Sequence, residues 1–201
     1  MTIKDNDSRV RRTKKLIRQG LTELAKNKSI TKITVKELTD LIEINRGTFY
    51  LHYKDIFDLV ASLEAEIYKE FEDIISSITI ESLKASPIDT LEKICDFVKQ
   101  NADLVGTLVG EHGDAKFVNK IGDLTNHKIL EIFETIYPNM NRQRFDFTYE
   151  YCKYGTMGLI YAWLVKHPET PSKVVAEMWF KLLSTGIMGI VDIRAVKEFS
   201  N

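Results

Sequence analysis

Only two cysteines, Cys95 and Cys152, occur in 201 residues. That excludes the multiply disulfide-stapled scaffolds of small secreted proteins. No hydrophobic run approaches the roughly eighteen residues that a membrane helix needs; the apolar stretches at 156–165 and 186–191 stop well short. The first residues are charged and lack the apolar centre of a secretory signal. A cytoplasmic protein with reduced thiols is the expectation, and Cys95 and Cys152 read as small buried hydrophobes ahead of any redox role. No segment alternates apolar and polar residues as a half-buried strand does, and no internal repeat is evident. Gly-rich phosphate loops, nucleophile elbows and cysteine–histidine pairs of recognisable spacing are missing too. Neither an enzyme nor a cofactor is expected. Glu111, His112, Asp114 and His127 lie close in sequence, yet no His-x3-His or Glu-x-x-His pair defines a metal site.

What the chain does have is an uneven charge. The net charge is −1. Residues 1–54 carry 13 Lys/Arg against 6 Asp/Glu, a net +7, and the remainder carries −8. A basic head on an acidic body points to a localised surface for a polyanion. Arg9, Arg11, Arg12, Lys14, Lys15 and Arg18 crowd the first half of an amphipathic helix expected from Arg9 to Asn27. Cations there oppose the helix dipole, so a compensating anion such as a nucleic-acid phosphate is expected.

Within the same head, Val35, Leu38 and Leu41 or Ile42 recur at three- and four-residue steps and form one helical face. Thr34 stands just before that face and Glu37 three residues on, the spacing of a capping box. A break follows at 43–45. Phe49 and Tyr53 then lie four apart on the apolar back of a second short helix. Its front carries Arg46, Gly47, Thr48, Tyr50 and His52. A capped helix, a tight turn and a short helix with a polar front make a helix-turn-helix, which enters the major groove of DNA.

The stretch from Thr34 to Lys54 resembles the DNA-binding signature of the tetracycline-repressor (TetR) family. Asn45, Arg46, Gly47, Thr48, Phe49, Tyr50, His52, Tyr53 and Lys54 each fall on a matching position of that signature. The resemblance implies an all-α fold. A three-helix helix-turn-helix domain, residues 1–54, would be joined by a long helix to a helical effector-binding and dimerisation domain, residues 55–201. It also implies a ligand-responsive homodimeric regulator, a repressor reading a palindromic operator. DNA contacts are expected from Thr34, Lys36, Asn45, Arg46, Gly47, Thr48, Tyr50, His52 and Lys54. Arg46 and Gly47 are expected at base edges, since arginine pairs bidentately with guanine. Thr34, Thr48, Tyr50, His52 and Lys54 are expected mostly at phosphates. The alternative is a TetR-like coactivator working through protein–protein contacts. Tyr151-Cys-Lys-Tyr-Gly155, with Gly158-Leu-Ile and Trp163-Leu, resembles a subgroup of the family from low-GC Gram-positive bacteria.

The body reads as helices throughout. A long one is expected from Asp55 to about Ser77 with the stripe Leu59, Leu63, Ile67, Phe71 and Ile74, abutting the recognition helix through Phe57 and Tyr53. Others are expected from Ser86 to Gln100, 102–110, 114–137, 141–166 and 171–193. Gly155, Gly158 and Ala162 share one face of the penultimate helix, and Gly186 and Gly189 lie three apart in the last. Glycine in a helix costs about 1 kcal/mol against alanine, so several need a reason. The resemblance implies a four-helix bundle between two subunits, with these five residues as its expected contacts; packing within one subunit is the alternative. By helical spacing the aromatics from Phe97 to Tyr154 read as core; the resemblance implies that this region encloses an inducer cavity, with an unidentified small-molecule effector among the helices between residues 88 and 160 and no contact residue assigned.

Overall fold

The computed structural model describes residues 3–109, 115–136, 138–139 and 141–185. Among the described residues there is no strand, and ten α-helices follow one another. These are α1 Ile3–Ala25, α2 Val35–Leu41, α3 Arg46–Tyr50, α4 Ile56–Ser76 and α5 Ile80–Ala85. They continue with α6 Pro87–Gln100, α7 Ala102–Val109, α8 Ala115–Ile136, α9 Arg142–Tyr161 and α10 Ser172–Thr185. The all-α class expected from periodicity is the fold observed. α1 starts at Ile3 rather than Arg9, and α5 has no counterpart in the periodic pattern. No residue of α5 is buried, so it lacks the stripe that periodicity detects. What starts it is a local cap, in which Thr79 and Ser82 each accept from the other's amide.

The chain divides into two compact units. The first joins Met1–Glu70 with Asp103–Asn119. Ile17 and Leu21 of α1, Leu38 of α2, Phe49 of α3, Leu59 of α4 and Leu104 of α7 are almost wholly buried there. Close packing of α1 on α2 depends on Gly20, a residue that periodicity passes over. A Cβ at Gly20 would lie 2.5 Å from Cγ2 of Ile42 and 2.7 Å from Cδ1 of Leu38. Crowding of that kind in a packed core costs typically about 1–3 kcal/mol. A short 3-10 turn, Ile30–Lys32, carries the chain from α1 to α2 and buries Ile30.

The second unit joins Phe71–Ala102 with Lys120–Asn201. Pro87 sits in the first turn of α6, where its missing amide hydrogen costs nothing, and Ser86 caps that helix. α10 packs along α6, burying Ile94, Cys95 and Val98 on one side and Val175 and Ala176 on the other. Tyr149 of α9 donates its phenolic hydrogen to the carbonyl of Gly122 on α8 and meets the hydroxyl of Thr125 at 3.1 Å. α9 ends in a π-turn, Ala162–Lys166, rather than running on as α-helix. A clasp holds the turn: the carbonyl of Thr170 accepts from the Trp163 indole at 3.0 Å and from Lys99 at 3.1 Å.

Candidate nucleic-acid interface

The site begins at Thr34. Its hydroxyl accepts from the amide of Glu37 at 3.2 Å, and the Glu37 carboxylate accepts from the Thr34 amide at 2.9 Å and the Thr34 hydroxyl at 2.8 Å. The capping box is present, with one consequence that spacing did not reveal. Both hydrogen-bond donors of Thr34 are committed to Glu37, so Thr34 holds the start of α2. Lys28 adds an ion pair to the other carboxylate oxygen at 2.6 Å. Hydrogen bonds from Lys28 and Thr34 hold the Glu37 carboxyl down at about 2.

The turn that follows is fixed by backbone geometry. The amide of Ile44 donates to the carbonyl of Thr39 at 3.1 Å, the six-to-one bond of a Schellman ending. The residue between must then be left-handed, and Glu43 is, at φ 55°. Glycine is the residue normally found there, because a side chain in that conformation crowds the carbonyl that follows. No pattern in the sequence flags Glu43.

α3 is capped by Asn45, whose side-chain oxygen accepts from the Gly47 amide at 2.7 Å. Asn45 therefore has a structural role beside any contact it makes. Phe49 is completely buried and anchors the helix, with Tyr53 buried one turn on and the two rings 5.8 Å apart. Truncating such a phenylalanine costs about 3–5 kcal/mol. The rest of the helix faces away from the core. Arg46, Gly47, Tyr50 and Leu51 are exposed, and Thr48 and His52 are half-buried. Lys36 on α2 and Lys54 after α3 are exposed, and neither side chain has an ion-pair partner among the described residues. Lys14 of α1 lies over the Tyr53 ring, 6.0 Å from its centre. Arg46, Gly47, Thr48, Tyr50, His52 and Lys54 thus come from one short helix and the residues that end it.

Asp55 starts α4, accepting from the Asp58 amide at 2.8 Å, while Asp58 accepts from the Lys54 amide at 2.9 Å. The expected packing through Phe57 is corrected here. Phe57 is 64% exposed, and Ile56 and Leu59 are the buried residues of that turn. One residue of helical phase separates the two readings.

In the second unit, α9 presents a stripe to solvent. Phe147, Tyr151, Tyr154 and Gly158 recur at four-, three- and four-residue steps, and Phe147 is 72% exposed. A Cβ added at Gly155 or Gly158 would meet nothing within 4 Å. Among the described residues, those glycines therefore serve no close approach. Ala162 is half-buried in the π-turn. Gly186 and Gly189 lie outside the described residues. Trp163, in the same turn as Ala162, is buried, with its indole committed to Thr170.

Burial pushes the Cys95 thiol up to about 12, with Asp96 and Glu92 adding to the effect, and burial raises Cys152 as well. Neither is poised as a reactive thiolate. Among the described residues no group of three or more His, Cys, Asp or Glu side chains is placed to hold a metal ion. Glu111, His112 and Asp114 lie outside them. No described helix is long and apolar enough to cross a membrane.

Comparison with known proteins adds three results. Residues 85–185 match a TetR-type family model described as "Transcriptional regulator C-terminal region". No curated protein sequence matches the chain significantly. In fold the chain is similar to several solved regulators at low identity. One is a TetR transcriptional regulator from Streptococcus agalactiae 2603V, with 18% identity, coverage of 90% of this chain and 99% of that one, and a TM-score of 0.58. A transcriptional regulator of the TerR/AcrR family from Aquifex aeolicus VF5 gives 18% identity, 89% and 99% coverage and a TM-score of 0.60. The regulator FadR from Bacillus subtilis, in complex with stearoyl-CoA, gives 15% identity, 85% and 97% coverage and a TM-score of 0.61.

Proposed function

The chain belongs to the TetR family of transcriptional regulators, and on that premise we propose that it is a homodimeric, ligand-responsive repressor of a palindromic operator, working in the cytoplasm. One observation carries the reading. The exposed front of α3, anchored from behind by Phe49, bears Arg46, Gly47 and Tyr50 inside a segment of net charge +7. An arginine at the first helical position reaches base edges and pairs bidentately with guanine, while Gly47 lets the backbone come close. Lys36, Thr48, Tyr50, His52 and Lys54 contact phosphates, which set register without specifying sequence. Thr34 acts through the cap of α2, and Asn45 through that of α3. Residues 1–54 are the DNA-binding domain; residues 55–201 hold the effector and the partner subunit.

Dimerisation through α9 and α10 is supported by the open glycines at 155 and 158 and by the solvent-facing rings of Phe147, Tyr151 and Tyr154. Large exposed aromatic stripes mark interaction surfaces. The B. subtilis neighbour carries stearoyl-CoA; this chain's effector is a small molecule for which no contact residue is assigned. The test is selection from a random DNA pool. The expected product is an inverted repeat whose half-sites lie about 34–36 Å apart, or a multiple of that. Recovery of no preferred sequence would contradict the reading.

A further inference from the structure

We propose that Leu51 reads a thymine methyl group in each operator half-site; this rests on the DNA-binding reading above and adds to it a residue that the sequence left unassigned. Leu51 is 81% exposed, an unusual place for a leucine at the end of a helix anchored by a buried ring. It caps α3 in right-handed helical conformation, φ −69° and ψ −19°, and its amide donates to the Gly47 carbonyl at 3.1 Å. The helical path therefore continues through Leu51, one turn beyond Gly47. At 3.6 residues per turn, Gly47 and Leu51 each lie about 160° around the helix from Phe49. Phe49 points into the core, so Gly47 and Leu51 stand at the apex of the exposed front. Arg46 and Tyr50 flank them on one side and Thr48 on the other. Gly47 has no side chain, which makes Leu51 the side chain that projects farthest from the core along that line.

An isobutyl group at the apex can form no hydrogen bond with a base edge or a phosphate. On the base edges of the major groove the apolar feature is the C5 methyl of thymine. Deoxyribose carbons lie along the groove walls, opposite the flanks of an inserted helix rather than its apex. The charge around Leu51 fits the same partner: Arg46, Lys36 and Lys54 are exposed cations of one basic segment. Spacing leaves Leu51 unassigned, because it lies off the face of Phe49 and Tyr53 and carries no hydrogen-bonding group.

The test uses the full-length protein and an operator selected from a random pool. Each thymine of the half-site is replaced in turn by deoxyuridine, which removes only the methyl group. At one position per half-site, methyl deletion should weaken wild-type binding on the order of fourfold, the effect of one buried carbon. Leu51→Ala should bind the thymine and deoxyuridine forms alike, with the salt dependence unchanged because no charge is lost. Leu51→Met, which keeps an apolar side chain of similar reach, should retain the discrimination. Leu51 is exposed, so neither variant threatens the fold. If Leu51→Ala weakens every sequence equally, the contact is to sugar and the inference is overturned. If wild type ignores every methyl deletion, it is overturned as well. A pool that yields no preferred sequence defeats the DNA-binding reading itself, whereas a selected operator indifferent to Leu51 defeats this inference alone.

Discussion

Arg18 of α1 and Asp103 of α7 form an ion pair of 2.9 Å across 85 residues of sequence. It draws Arg18 away from the cations that composition assigned to a polyanion and ties α1 to a helix from the middle of the chain. Asp103 also lies in the first turn of α7, where the dipole favours a carboxylate. The side chains are 24% and 44% exposed, so solvent screening limits the contribution. A double-mutant cycle with Arg18→Gln and Asp103→Asn, read by urea denaturation, should give a coupling of about 0.5–1 kcal/mol that shrinks in high salt. A coupling of zero at low salt would mean that the pair adds nothing.

Glu43 should be improvable. A left-handed residue with a Cβ carries a strain of about 1–2 kcal/mol, offset in part by the greater unfolded freedom of glycine. Glu43→Gly is expected to stabilise the protein by roughly 0.5–1 kcal/mol, and Glu43→Val to destabilise it. Thermal unfolding of the two variants checks the sign. A destabilising Glu43→Gly would show that the Glu43 side chain makes a contribution larger than the strain.

Glu37 predicts a pH dependence. Its carboxyl is held at about 2 in the folded protein, below the 4.5 of an unconstrained glutamate. A group depressed on folding stabilises most above its unfolded pKa. That contribution is complete above about pH 4.5 and disappears as the pH falls towards 2. Glu37→Gln should therefore lower stability at neutral pH and flatten the stability profile between pH 4.5 and 2. NMR titration of the Glu37 side chain should show a midpoint near the lower value. A midpoint near 4.5 would mean that neither Lys28 nor Thr34 holds the carboxylate in solution.

Gly158 offers a clean test of assembly. An added Cβ would meet nothing within 4 Å among the described residues, and leucine is the better helix former by about 1 kcal/mol. Gly158→Leu should fold normally yet sediment as a monomer, because the partner's helix is forced away. A variant that stays dimeric with unchanged affinity would place the interface elsewhere.

Much of this was legible because its causes are local. The cap of α2 needs only Thr34 and Glu37 at the right spacing, and the anchors Phe49 and Tyr53 need only a four-residue step. Long stripes such as Leu59, Leu63, Ile67 and Phe71 announce α4 in the same way; the next buried residue is Ile75, which keeps the four-residue step, rather than Ile74. What stayed hidden depends on partners distant in sequence or on backbone angles. Arg18 looks like any surface cation until Asp103 is brought beside it. Gly20 looks like a flaw in α1 until Leu38 and Ile42 close on it. Glu43 has no residue-type signature for a left-handed turn. That Gly155 and Gly158 face no other described residue depends on how α9 is arranged, which spacing alone does not give.

The central claim is that the basic head binds DNA through phosphates around an inserted α3, and the salt dependence of operator binding tests it most directly. About four phosphate contacts per subunit make about eight per dimer, so the log–log slope should lie near −7. Lys54→Ala should flatten the slope by about two, one contact per subunit, on every sequence tested. A slope near zero for the wild-type protein would contradict the account.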